Sequence, residues 1–170
     1  PSGANYPVTP SAVKTTTGTG EALFSGKPAV FDWHAKNAGN ATASGNFRVE
    51  VWVDNTRIAD YPFSNWTAGT VNGFDDWQYT VPTAGWHTVK IVVDPANAIV
   101  ESNEDNNVWQ QDFYWEPVDG CWTEYFNNET LSGDPVRVAD EPGIDHAWGY
   151  EGPAGQVDHF SARWTCNATF

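Results

Sequence analysis

This 170-residue chain contains no methionine, only two cysteines and only eight lysines and arginines against 22 aspartates and glutamates. The resulting formal charge is −14 with no basic run, so a nucleic-acid backbone or an anionic lipid surface would repel it. No apolar segment approaches the length of a membrane span, which argues against membrane insertion. Nor is there an apolar stretch that fits a signal peptide, and the chain begins at Pro1 without Met. The expectation is therefore a processed or excised portion of a longer precursor. With so few lysines there is little material for solvated helix faces, while ten tryptophans within an aromatic content of 15% favour sheets.

Cys121 and Cys166 bracket the C-terminal segment. A structural zinc site would need histidines at suitable spacing, which are absent, so a disulfide is the expected pairing. Closing a loop of that size stabilises the folded state by about 3–4 kcal/mol in the chain-entropy picture and calls for an oxidising, extracellular compartment.

The apolar period is mostly two. Ala29, Phe31, Trp33 and Ala35 alternate with Val30, Asp32, His34 and Lys36, and the run stops at Asn37-Ala38-Gly39-Asn40. Phe47, Val49, Val51 and Val53 alternate with Arg48, Glu50 and Trp52 before an Asp54-Asn55 turn. Further strands are expected over 77–81, 86–93 and 108–115, with turns at Pro82–Gly85 and in the acidic stretch between Asp94 and Asn107. Short strands at regular spacing, with no helical pattern, predict an all-β, immunoglobulin-like antiparallel β-sandwich over 21–116. Residues 116–120 read as a linker, and a smaller, incomplete β domain is expected over 117–170. The Ser/Thr/Gly-rich segment 1–20 is either a flexible arm or a first edge strand.

The strand-turn FDWHAKNAGNATASGNFRVEVWVDN, the turn-strand PTAGWHTVKIVVD and the acidic corner VVDPANAIVESNEDNN occur in an order that resembles the CARDB module, the cell-adhesion-related domain found in bacteria. That resemblance implies a spacer or adhesion unit of a secreted or surface protein, without catalytic residues. Downstream, CWTEYFNNETLSGDPV, IDHAWG and FSARWT resemble the opening strands of the protective-antigen-like domain of toxins, glycosidases and adhesins. In that family an Asp-Asp pair holds a calcium at a sugar site further along than this chain reaches. Asp75-Asp76 lies in the first domain and does not replace it, and His146 stands where that family more often has an apolar or aromatic residue. An incomplete sheet would be completed by a neighbouring domain, by the first domain or by a strand from a second copy, the last giving a homo-oligomer or filament.

Several groups stand out as candidate sites. Asp94, Glu101, Glu104 and Asp105 offer oxygens for calcium, but their spacing does not match the twelve-residue calcium loop, and with Asn103, Asn106 and Asn107 an Asx-turn network is the favoured reading. Asp145-His146 and Asp158-His159 would make an acid-base or metal cluster only if their loops met; turn capping is favoured. Trp52, Trp66 and Trp77 are candidates for stacking on carbohydrate, although core or interface packing accounts for most of the ten indoles. Asn40, Asn65, Asn128 and Asn167 each head an N-x-Thr glycosylation sequon in or beside a turn. The functional expectation is a non-enzymatic extracellular adhesion or structural protein that needs no cofactor. The alternative is a carbohydrate-binding accessory module of a secreted hydrolase.

Overall fold

The computed structural model describes residues 6–11, 22–148, 152–155 and 158–166. Eleven strands and one short 3-10 turn, η1 (Pro153–Gly155), make up its regular structure. They are β1 (Tyr6–Ser11), β2 (Leu23–Phe24), β3 (Pro28–Lys36), β4 (Ala43–Val53), β5 (Thr56–Trp66), β6 (Val71–Thr80), β7 (Gly85–Val93), β8 (Val108–Glu116), β9 (Cys121–Phe126), β10 (Arg137–Glu141) and β11 (Ser161–Cys166). The fold is all-β, as the two-residue period requires. The chain divides into two compact units, one built mainly from 31–79 and 85–114 and the other from 10–30, 80–84 and 115–170.

In the first unit, β8, β7, β4 and β5 lie side by side in that order, and β1, β3 and β6 form a second sheet. Antiparallel registers of Val49 with Val93, Val51 with Ile91 and Val53 with Val89 put the buried valines of β4 in one layer with buried Val89 and Ile91 and half-buried Val93 of β7. Opposite residues in a ladder share a face, so these pairs build the core by cross-strand contact. Each such side chain removed from water contributes about 1.5–3 kcal/mol. Phe31, Trp33 and Ala35 are buried on β3, and Trp33 packs against Tyr61 and Phe74 at centroid distances of 5.9 and 5.7 Å. A Cβ on Gly73 of β6 would fall 1.9 Å from the Trp33 carbonyl oxygen, so the β3–β6 approach requires glycine there.

β5 is absent from the sequence reading, and the physical reason is its edge position. Its inner face carries Tyr61 and Phe63, but Pro62 and a register shift near Val51 interrupt the alternation. Proline removes a ladder donor and is tolerated at a sheet edge. β6 likewise begins at Val71, well before the expected Trp77, and β1 pairs at the edge of its sheet.

In the second unit β9 is the centre of a three-stranded antiparallel sheet, flanked by β10 and β11. Trp122 and Val138 are buried on one face, with Phe24 and Val118 packed against them. Phe24 meets the Trp122 ring edge-on at 5.1 Å, and its strand pairs in parallel with Trp115–Glu116. Gly120 passes so close to the Glu141 carbonyl that a Cβ would lie 2.1 Å from its oxygen. Cys166 lies directly opposite Cys121 in the β11–β9 register, and the two form a disulfide with Cα atoms 4.2 Å apart.

The disulfide closes a sequence separation of 45 residues, so the Cys121→Ser/Cys166→Ser double variant is expected to lose about 3–4 kcal/mol of stability. Chemical denaturation of the variant beside the oxidised and reduced parent checks this value.

Candidate functional site

The registers of β9, β10 and β11 place Thr123, Tyr125, Glu141 and Trp164 on one face of the C-terminal sheet. Glu141 is its polar centre. Its carboxylate accepts from Thr123 Oγ1 at 2.9 Å, Trp164 Nε1 at 2.9 Å, His146 Nε2 at 2.8 Å and the Tyr125 hydroxyl. The His146 ring stacks on Trp148 at 5.1 Å and lies 5.8 Å from Trp164, so imidazole and indoles cover the carboxylate. Burial pushes the Glu141 carboxyl up, but the four hydrogen bonds outweigh it and hold the group below the ordinary value. Burial together with the bond to Glu141 drives the Tyr125 hydroxyl well above its usual range. A carboxylate this fully hydrogen-bonded and stabilised in its ionised form is a poor proton donor or nucleophile. It pins the 142–148 segment to the sheet.

The acidic corner follows the same logic. Asp94 is 2% exposed at φ 48°, and its two oxygens accept the backbone N–H groups of Ala98 at 3.0 Å and Ile99 at 2.7 Å. Glu104 accepts the N–H of Glu101 at 2.8 Å, and Asn103 Oδ1 accepts that of Asp105 at 3.0 Å. These are turn bonds within a loop joining β7 to β8. Beneath it lies a cavity of about 20 Å³ lined by Phe47, Trp66, Ile99, Glu101 and Asn107 among others, room for about one water.

A third feature is the outward face of β8, β7, β4 and β5. Trp86 is 72% exposed and Tyr114 42% exposed, and their rings meet edge-on at 5.4 Å. Along the same face Thr88 Oγ1 donates to Asp112 Oδ1 at 2.6 Å. Lys90 Nζ sits 4.9 Å over the Trp52 ring, while Trp52 Nε1 and Arg57 both donate to Glu50. Arg48 bonds Asp60, which helps hold that carboxyl below its ordinary value. At the start of β7, buried His87 bonds Asp54, whose other oxygen accepts the N–H of Thr88 at 2.9 Å. This anchoring turns Trp86 outward. Trp86 and Tyr114 were missed in the sequence, yet the phase of β7 pointed to Trp86: with 87, 89 and 91 inside, residue 86 faces out.

The remaining candidates separate. Trp66 is a correction: it is 5% exposed, stacks on Phe47 at 5.5 Å and Phe63 at 5.4 Å, and donates to the Thr70 carbonyl, so it is core and is closed to sugar. Its strand was unrecognised, so its phase could not be read. Trp77 is half-buried between Phe31 and Tyr79, and Trp52 has Lys90 on one face of its ring. Asn40 and Asn65 are exposed. Asn128 is engaged on both side-chain atoms, accepting from Thr130 and Ser132 and donating to the Ser132 carbonyl at 2.8 Å, while Asn167 lies outside the described residues. His146 bonds Glu141, whereas His159 bonds Glu129 at 2.8 Å. Asp75 faces His34 at 3.3 Å, and Asp76 donates its N–H to Asp32. Among the described residues no three His, Cys, Asp or Glu side chains converge in a way that could hold a metal ion.

A family model for CARDB matches residues 12–111. The chain belongs to the CARDB family. The CARDB domain of a Pyrococcus furiosus protein, solved in complex with di-metal ions, superposes at a TM-score of 0.50 with 24% identity, covering 55% of this chain and 83% of that one. A domain of a Methanosarcina acetivorans protein assigned to the cell surface is 23% identical over 56% of this chain and 82% of its own, at a TM-score of 0.47. These likenesses concern the fold. No curated protein matches the chain, and the family match ends before the C-terminal sheet.

Because Glu141 titrates below its ordinary value of 4.5 in the fold, its contribution is complete above that pH and is lost as pH falls through the lower folded value. Denaturation midpoints of the parent, followed by tryptophan fluorescence, are expected to drop steeply below about pH 4.5. Glu141→Gln is expected to flatten that acid limb and to cost about 2 kcal/mol at neutral pH, since donors beneath the rings lose part of their acceptor.

Proposed function

We propose that this chain is a non-enzymatic, extracellular adhesion or structural module of a cell surface or matrix. The observation that carries the reading is the use made of the carboxylates. Glu141 and Asp94, the groups whose burial would suit acid-base chemistry, are committed to side-chain and backbone donors that hold loops in place. The CARDB membership and the oxidised cysteine pair favour an adhesion-type module working outside the cell. The two metal ions belong to the Pyrococcus furiosus domain, and the Asp94 oxygens of this chain are used to accept the N–H groups of Ala98 and Ile99.

Assembly belongs to the same proposal. No comparison supports the expected protective-antigen-like domain after residue 116, but among the described residues β10 and β11 are the outer strands of the C-terminal sheet, and an outer strand can pair with a further one. A strand from a neighbouring domain or a second copy added there would complete it, and a head-to-tail contact that does not close would give a filament. Self-association on sedimentation, with fibres or closed rings in electron micrographs, is the expected result. A strictly monomeric mass at high concentration would remove strand exchange between copies. The alternative of an accessory module from a hydrolase predicts retention on polysaccharide without self-association.

A further inference from the structure

We infer that the outward face of β8, β7 and β4 is a binding platform for a neutral polysaccharide, with the Trp86–Tyr114 pair as its anchor. This rests on the adhesion reading and names the ligand class that such a module would hold.

Burial drives most large aromatics into the core, yet Trp86 leaves 72% of its surface in water although neighbouring His87 is buried. An indole kept outside by a rigid strand is preorganised contact area, and Tyr114 braces it edge-on at 5.4 Å. Trp52 provides a second ring on the same face, since it pairs with Lys90, four residues along β7 from Trp86. Strand rise and strand spacing put the two indoles about 14 Å apart, a separation spanned by several linked sugars. Between them lie Thr88 and Asp112, with Gln110 exposed on β8, groups that exchange hydrogen bonds with hydroxyls.

Charge decides the ligand class. The whole chain carries −14, which repels uronate-rich or sulfated glycans. The platform itself is balanced: Arg48 meets Asp60, Arg57 meets Glu50, and Lys90 over Trp52 is matched by Asp112 bonded to Thr88. Its cations are engaged, which leaves rings and hydrogen-bonding groups to face a chain of uncharged sugars.

The test measures retention of the whole protein on microcrystalline cellulose, chitin and insoluble β-1,3-glucan, with and without calcium, alongside sedimentation in their absence. Retention on at least one is expected, calcium-independent and insensitive to salt. Trp86→Ala and Tyr114→Ala are expected to weaken it more than tenfold, Trp86→Phe less, and Val100→Ala not at all, with unchanged circular dichroism. No retention on any of the three, or full retention by Trp86→Ala, overturns the platform while leaving the adhesion reading intact. Dissociation of an oligomer by Trp86→Ala without polysaccharide retention also overturns it, showing that the face meets a second copy. Release of soluble sugar from a retained substrate would instead overturn the non-enzymatic reading itself.

Discussion

The pleat of β4 is the constraint on which the sandwich depends. Val49, Val51 and Val53 are buried while Arg48, Glu50 and Trp52 stand on the other side of the same strand. A slip of one residue would exchange the two sets, placing three polar or amphipathic groups in the core and the valines in water. The core therefore locks the register, and the register locks the outer surface. Trp52 sits beside Lys90, and Trp86 is held outward, because the valine layer beneath them admits no other phase.

Carboxylates are used throughout this molecule as acceptors for groups that the sheets leave over. Asp94 takes two backbone N–H groups where the chain leaves β7, and Glu141 on β10 collects donors from β9, from β11 and from the loop that follows it. A buried donor without a partner costs more than a hydrogen bond returns, so such acceptors are needed wherever loops cross apolar surface. In an acidic chain the sequence offers many of them, and proximity in sequence does not reveal which ones serve structure. The acidic corner shows this directly: four carboxylates within twelve residues resemble a cation site on paper, whereas in the fold Asp94 and Glu104 accept the loop's own amides.

Legibility followed periodicity. β3, β4 and β7 have buried residues at alternate positions and were readable to within a few residues, as were β8, bounded by the acidic turn before it, and the pairing of Cys121 with Cys166. β5 was unreadable because an edge strand carries a bulge and a proline at little cost, and both erase the period. Losing β5 also lost Trp66, whose identity as core depends on which side of that strand it occupies. The Glu141 centre was invisible for a different reason: its donors at 123, 125, 146 and 164 are far apart in sequence and meet only through the β10–β9–β11 register.

By itself the sequence determined the all-β class, the membership of residues 12–111 in the CARDB family, and a formal charge of −14. Those properties are local or additive, set by alternation, turn residues and summed charge. Only the tertiary structure decided which carboxylates are structural, which indoles are core and which one stands in solvent. Those outcomes depend on strand neighbours and register, which bring together residues that no spacing in the chain connects.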